Sequence, residues 1–206
     1  MSRGRWVIRL VPRLAILATA VLEIINGSYL YGAFCLLVLG LTLIPAAYAR
    51  RLDAGVPLEL ELAALWLMIA DMTLGNAFGL YELSWYDKAL HFSSSALIGM
   101  VAFLAIYVLH LTHKTRFHPW IDGVAILLVT LGLGAVWELA EFGVDHLLGL
   151  ATQGSPTMTA LDDTMLDLLL DGLGGVVGAL VGPWYISRSR ASRVQIEAFG
   201  RMIERR

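Results

Sequence analysis

Cysteine is almost absent from this 206-residue chain: a single thiol, Cys35, lies inside an apolar run. That excludes an intramolecular disulfide and any metal cluster built from thiolates. Charge is scarce too, at 16% of residues, and between Asp71 and Asp171, where most of the acids fall, the cations are Lys88, Lys114 and Arg116. No low-complexity tract and no clear internal repeat is present. The connections at Asn26 to Ser28, Arg50 to Val56, Glu82 to Asp87, His113 to Trp120 and Leu150 to Asp162 are too short to hold a further domain.

What remains is apolar. A hydrophobic share of 58% and a mean hydropathy of +0.71 exceed the roughly 45–50% of an ordinary soluble domain. At about twenty residues per crossing, the runs predict helices near 10–27, 29–49, 58–79, 89–112, 121–149 and 163–186. The first run is shortened by Pro12 and Arg13. It reads as an uncleaved span rather than a signal peptide, because Glu23 and Asn26 interrupt the place where a cleavage site would sit.

The expected fold is therefore all-α, a polytopic membrane helical bundle of about six transmembrane helices. Residues 1–187 form a single integral-membrane domain, followed by a basic tail over 188–206 that reads as a solvated or membrane-surface helix. Arg3 to Arg13, Arg50, Arg51, Lys114, Arg116 and Arg188 to Arg206 all fall on one side of a six-span chain, and Lys88 falls on the other. The positive-inside rule then puts both termini in the cytoplasm of a bacterial plasma membrane.

That topology sorts the acids by depth, into the extracytoplasmic half. Asp163, Asp167 and Asp171 recur every four residues and climb one face of the last span, and Gly174, Gly178 and Gly182 continue the stripe, where small residues let another helix approach closely. Glu138, Glu141 and Asp145 stand at i, i+3 and i+7 of the fifth span. Asp87 and His91 are one turn apart in WYDKALHFSSS. Half a dozen acids facing lipid would cost on the order of 15–20 kcal/mol, more than the typical net stability of about 5–15. They are expected to share a hydrated or ion-filled cavity.

Each group also has a plainer reading. Asp87 is suited to cap a helix, Lys88 to snorkel at the interface, and Asp145 and His146 to end a helix in solvent. His110, His113 and His118 read as surface residues. Asp71, an isolated acid in LWLMIADMTLGNAF, is a candidate by default, with Asn76 or Lys88 as a structural partner. Trp6, Trp66, Trp85, Tyr86, Trp120 and Trp184 read as interface anchors.

WYDKALHF, AVWELAEF and TQGSPTMTALDDTMLD together resemble the uncharacterised bacterial inner-membrane family typified by YjdF, with its D-[KR]-x-x-H-F, W-E-x-x-E and T-Q-G-x…D-T-x-x-D motifs. The resemblance covers about residues 85–182 and implies site positions at Asp87, His91, Glu138, Glu141, Gln153, Gly154, Asp163 and Asp167. More distantly the chain is similar to VanZ-like membrane proteins, which supports Asp87, His91, Glu138, Asp167 and Gly174. From that second pattern it departs by Glu141 in place of glutamine, Asp171 in place of asparagine and the lack of a loop arginine.

So many carboxylates cannot all stay ionised in a low-dielectric pocket without a counterion. The leading expectation is a metal-assisted hydrolase acting on a lipid-linked envelope substrate, with Asp87, His91, Glu138, Glu141, Asp163 and Asp167 as catalytic residues. His91, Glu138, Glu141, Asp163, Asp167 and Asp171 are the metal ligands, and Asp71, Lys88 and Gln153 are secondary candidates. The ion would be Mg²⁺, Mn²⁺, Ca²⁺ or, through His91, Zn²⁺. Membrane lipids are the expected partners and nucleic acid is not. The alternatives are a proton- or cation-coupled transporter or channel, and a non-catalytic accessory protein.

Overall fold

A computed structural model describes residues 3–52, 57–113, 117–154 and 158–204. Every regular element among them is helical: α1 (Arg3–Ile25), α2 (Tyr29–Leu52), α3 (Leu58–Ile69), α4 (Tyr86–His113), α5 (Pro119–Leu148), α6 (Ala160–Arg188) and α7 (Arg190–Glu204). Six of these coincide with the six apolar runs. Three of them, α4, α5 and α6, are long and apolar enough to cross a membrane. Of the residues used to orient the chain, Lys114, Arg116, Arg205 and Arg206 lie outside the described residues, as do the side chains of Arg3, Arg5, Arg50 and Arg51 and that of the expected interface anchor Trp6.

The chain divides into two compact units, residues 1–81 and 82–206. In the first, Ile16 and Ala20 of α1, Cys35 of α2, and Ile69 and Met72 at the end of the third run form a closed apolar core. Charge beside it is paired. Arg9 and Arg13, one turn apart on α1, reach Glu61 of α3 at 2.8 and 2.9 Å, and Arg13 also donates to the Thr42 carbonyl of α2 at 2.9 Å. These two arginines thus serve packing.

The third run is not one regular helix. After Ile69 it widens into a π-helical segment, Ala70–Ala77. The ring of Tyr81 folds over the bare Cα of Gly75, where a Cβ would collide with it, and its hydroxyl donates to Asp71 Oδ1 at 2.6 Å. An aromatic packed on the helix and a side-chain hydrogen bond at the same place are an adequate cause for the altered backbone.

In the second unit α4 and α6 cross at backbone distance, and α5 packs against both. The glycine stripe makes this crossing. A Cβ on Gly178 would stand 2.5 Å from the Ala96 carbonyl and 2.6 Å from the Met100 nitrogen, and one on Gly99 would stand 2.9 Å from the Gly175 carbonyl. The helices start and stop where their ends are capped. Pro119 opens α5 behind His118, Gly149 closes it at φ 67°, and Thr159 caps α6 by accepting from Asp162 N.

At one end of this unit lie the start of α4, the end of α5 and the start of α6. At the other, α7 buries Ser192 and Ile196 and accepts a hydrogen bond from Tyr107 of α4 on Glu197. His118 is exposed, as expected, and caps α5, whereas His110 is half-buried and drawn towards Asp122, at 3.4 Å.

Candidate functional site

The first end of the second unit gathers the acids. The four-residue spacing of Asp163, Asp167 and Asp171 turns all three inwards, at 7, 1 and 1% exposure, and His91 and Glu138 join them at 7 and 4%. Asp87 keeps more of its surface, with a side chain 29% exposed. Lys88 does not snorkel. Its ammonium lies 2.5 Å from Asp163, 2.7 Å from Asp167 and 3.1 Å from Asp87, because the start of α4 lies against the start of α6.

His91 is held from both sides. Its Nδ1 lies 3.3 Å from Asp171 Oδ1, and that oxygen also accepts from Ser95 Oγ at 2.6 Å. With Nδ1 turned to Asp171, Nε2 is the ring nitrogen left to face the pocket. Nε2 faces Glu138 Oε1 at 3.6 Å, Asp87 Oδ1 at 3.8 Å and Asp167 Oδ1 at 4.0 Å. Gly134 of α5 makes room for Asp171, since a Cβ there would run into the carboxylate.

Two of the oxygens facing Nε2, Glu138 Oε1 and Asp167 Oδ1, are buried and have no hydrogen-bond partner. Each belongs to a carboxylate whose other oxygen is well supplied. Asp167 Oδ2 takes Lys88, and Glu138 Oε2 takes Thr164 Oγ1 at 2.6 Å and Gln153 Nε2 at 3.3 Å. A buried, unpaired carboxylate oxygen is unfavourable unless something electropositive meets it.

The geometry suits an ion. Asp87, His91 and Asp167 can each offer a ligand atom within 4.8 Å of the others. Metal bonds of about 2.1 Å put neighbouring ligand atoms roughly 3.0–3.4 Å apart, so the 3.6–4.0 Å separations around Nε2, in a triad spread within 4.8 Å, must contract to take an ion. The Asp171–His91 pair is the outer-shell arrangement that fixes a ligating imidazole.

The other expected residues are placed as follows. Glu141 is half-buried and turns to the Trp137 indole, which donates to it at 2.9 Å. Asp145 does not simply end a helix in solvent: it accepts from Thr152 N, Thr152 Oγ1 and Gln153 N at 2.7, 2.7 and 2.9 Å. Asp71 belongs to the first unit, on Tyr81. Tyr86 is buried, whereas Trp66, Trp85, Trp120 and Trp184 are exposed. Ser95 extends the polar face of Asp87 and His91, as the WYDKALHFSSS spacing predicts, and bonds Asp171. Thr164 has no signal in the sequence beyond a hydroxyl one residue after Asp163.

Comparison with known proteins meets this geometry at the level of the whole chain. The model of the family described as Predicted membrane protein (DUF2238) matches residues 6–188. The chain belongs to that family. The DUF2238 match extends well beyond the motif-bearing half and is consistent with the YjdF-like resemblance. A relative from Thermotoga maritima, named Uncharacterized protein, is 32% identical over 133 residues, which is 63% of this chain and 65% of the relative. This DUF2238 chain thus spans slightly less than two thirds of that relative. No solved structure matches it.

Proposed function

We propose that this membrane protein holds a divalent cation between α4, α5 and α6 and uses it to hydrolyse a lipid-linked envelope substrate. One observation carries the reading: the orphaned oxygens of Glu138 and Asp167 face the same imidazole nitrogen as Asp87. Charge supports it. Asp87, Glu138, Asp163, Asp167 and Asp171 surround Lys88 and His91, and in a low-dielectric bundle that excess of carboxylate favours a further cation. Asp87, His91, Glu138 and Asp167 would hold the ion, while Asp163 and Asp171 orient Lys88 and His91.

Six spans with both termini inside, the arrangement the positive-inside rule favours, bring the cluster into the outer half of the bilayer. Trp85, two residues before Asp87, is exposed, as suits an aromatic at the level of the headgroups. The ion would polarise the scissile bond and acidify water. Hydrolysis joins the water oxygen to the electrophilic centre, breaks the bond to the leaving oxygen and passes a water proton to that oxygen.

The transport reading fares worse. Along α4 and α6 no acid or base follows the cluster until His110 and Arg188, and the intervening seam is closed by Gly99 against Gly175 and Gly178. That suits a blind pocket better than a pathway.

Metal analysis of purified protein tests the core of this reading. The wild type should retain stoichiometric divalent metal that Glu138→Gln and Asp167→Asn lose, and should release phosphate from lipid-linked pyrophosphate in vesicles when the ion is present. A wild type that takes up no divalent metal removes the mechanism. Metal-dependent ion flux without hydrolysis would favour transport.

A further inference from the structure

Resting on that reading of the site, we infer that the Thr152–Gly154 loop is a strap that aims Glu138 at the ion as a fourth ligand, with Gln153 and Thr164 as its positioning residues. A glutamate on a helix has three side-chain rotors, and left free it would swing either oxygen into the pocket. Here the choice is made for it. Thr164 Oγ1 donates to Oε2 at 2.6 Å, and Gln153 Nε2 is 3.3 Å from the same oxygen while also donating to the Glu138 carbonyl at 3.1 Å. Gln153 Nε2 is 3.1 Å from Thr164 Oγ1 as well, so the three groups brace one another. Oε1 is left facing His91 with no hydrogen-bond partner, in a residue only 4% exposed.

The strap is anchored at both ends to acids of the same unit. Asp145, two turns along α5 from Glu138, accepts the backbone N–H groups of Thr152 and Gln153. Gly154 N donates to Asp163 Oδ2 at 2.7 Å, and Asp163 Oδ1 in turn holds Lys88. Gly154 has φ 84°, a conformation that glycine adopts most readily, and a Cβ there would come within 3.2 Å of the Met158 carbonyl. One short loop therefore sets the orientation of Glu138 directly and of Lys88 through Asp163. If these bonds only stabilised the loop, ion binding would be indifferent to them. If they aim a ligand, they behave as outer-shell contacts, whose loss weakens metal binding by about 10–100-fold.

Mn²⁺ titration of the full chain in detergent, followed by the paramagnetic signal of free Mn²⁺, distinguishes these. Thr164→Val, close in shape to the native residue, should weaken binding by about 10–100-fold, Gln153→Ala should do likewise, and Thr164→Ser, which restores the hydroxyl, should bind as the wild type does. The decisive comparison is a double-mutant cycle: Thr164→Val and Gln153→Ala combined should lose clearly less affinity than the sum of the two single losses, because both aim the same carboxylate oxygen. Wild-type affinity in Thr164→Val and Gln153→Ala, or losses that simply add in the double variant, would overturn the strap while leaving the ion site standing. A wild type that binds no Mn²⁺, Zn²⁺ or Mg²⁺ would overturn the site itself, and the strap with it.

Discussion

The two units bury charge in opposite ways. In residues 1–81, Glu61 meets Arg9 and Arg13, Asp71 meets Tyr81, and the centre is an apolar cluster of Ile16, Ala20, Cys35, Ile69 and Met72. In residues 82–206 the innermost side chains include His91, Ser95, Glu138, Asp163, Asp167 and Asp171, and two carboxylate oxygens there go unpaired. The first pattern is what packing alone would select. The second works against stability unless a ligand completes it, and sites that sacrifice stability in this way are where function is expected.

That contrast can be broken most forcefully at Glu61. Glu61→Ala removes the carboxylate that Arg9 and the buried Arg13 share and should cost about 3 kcal/mol, read as a lowered unfolding midpoint, with ion affinity retained in the folded fraction. Gly178→Ala is next. Its Cβ would press on the Ala96 and Met100 backbone, for about 2 kcal/mol of overpacking, and by parting α4 from α6 it should weaken ion binding as well. Tyr81→Phe removes one hydrogen bond to Asp71 and should cost about 1 kcal/mol, with ion binding unchanged. The smallest and most telling effect is at Glu138. In ion-free protein Glu138→Gln should unfold at or above the wild-type temperature, since it removes a like charge, and yet it should abolish the stabilisation that added divalent ion gives the wild type.

Much of this was legible in the sequence because it is periodic. Long apolar runs set α2, α4, α5 and α6 to within three residues, while α1 starts seven residues before its run and α3 gives way at Ala70; the four-residue recurrence of Asp163, Asp167 and Asp171 put them on one face, as observed. What periodicity does not carry is the partner across the gap. Glu141 shares a helix face with Glu138 by spacing, but three residues fall short of a full turn by about 60°, enough to send it to Trp137. Lys88 looked like an interface lysine because a snorkelling chain and a buried ion pair read alike until α6 is in place. The π-helical segment depends on Tyr81 lying over Gly75, a contact between residues too irregularly spaced to announce it. Thr164 gave no signal of its own, because a hydroxyl inside an apolar helix usually bonds back to the preceding turn, as Thr130 does here.

Anomalous diffraction from crystals of the protein soaked with Mn²⁺ tests the central claim most directly. The account predicts one peak among Asp87 Oδ1, His91 Nε2, Glu138 Oε1 and Asp167 Oδ1, about 2.0–2.3 Å from each, and its disappearance in Asp167→Asn. No peak there at saturating Mn²⁺, or one that survives Asp167→Asn undiminished, would contradict it.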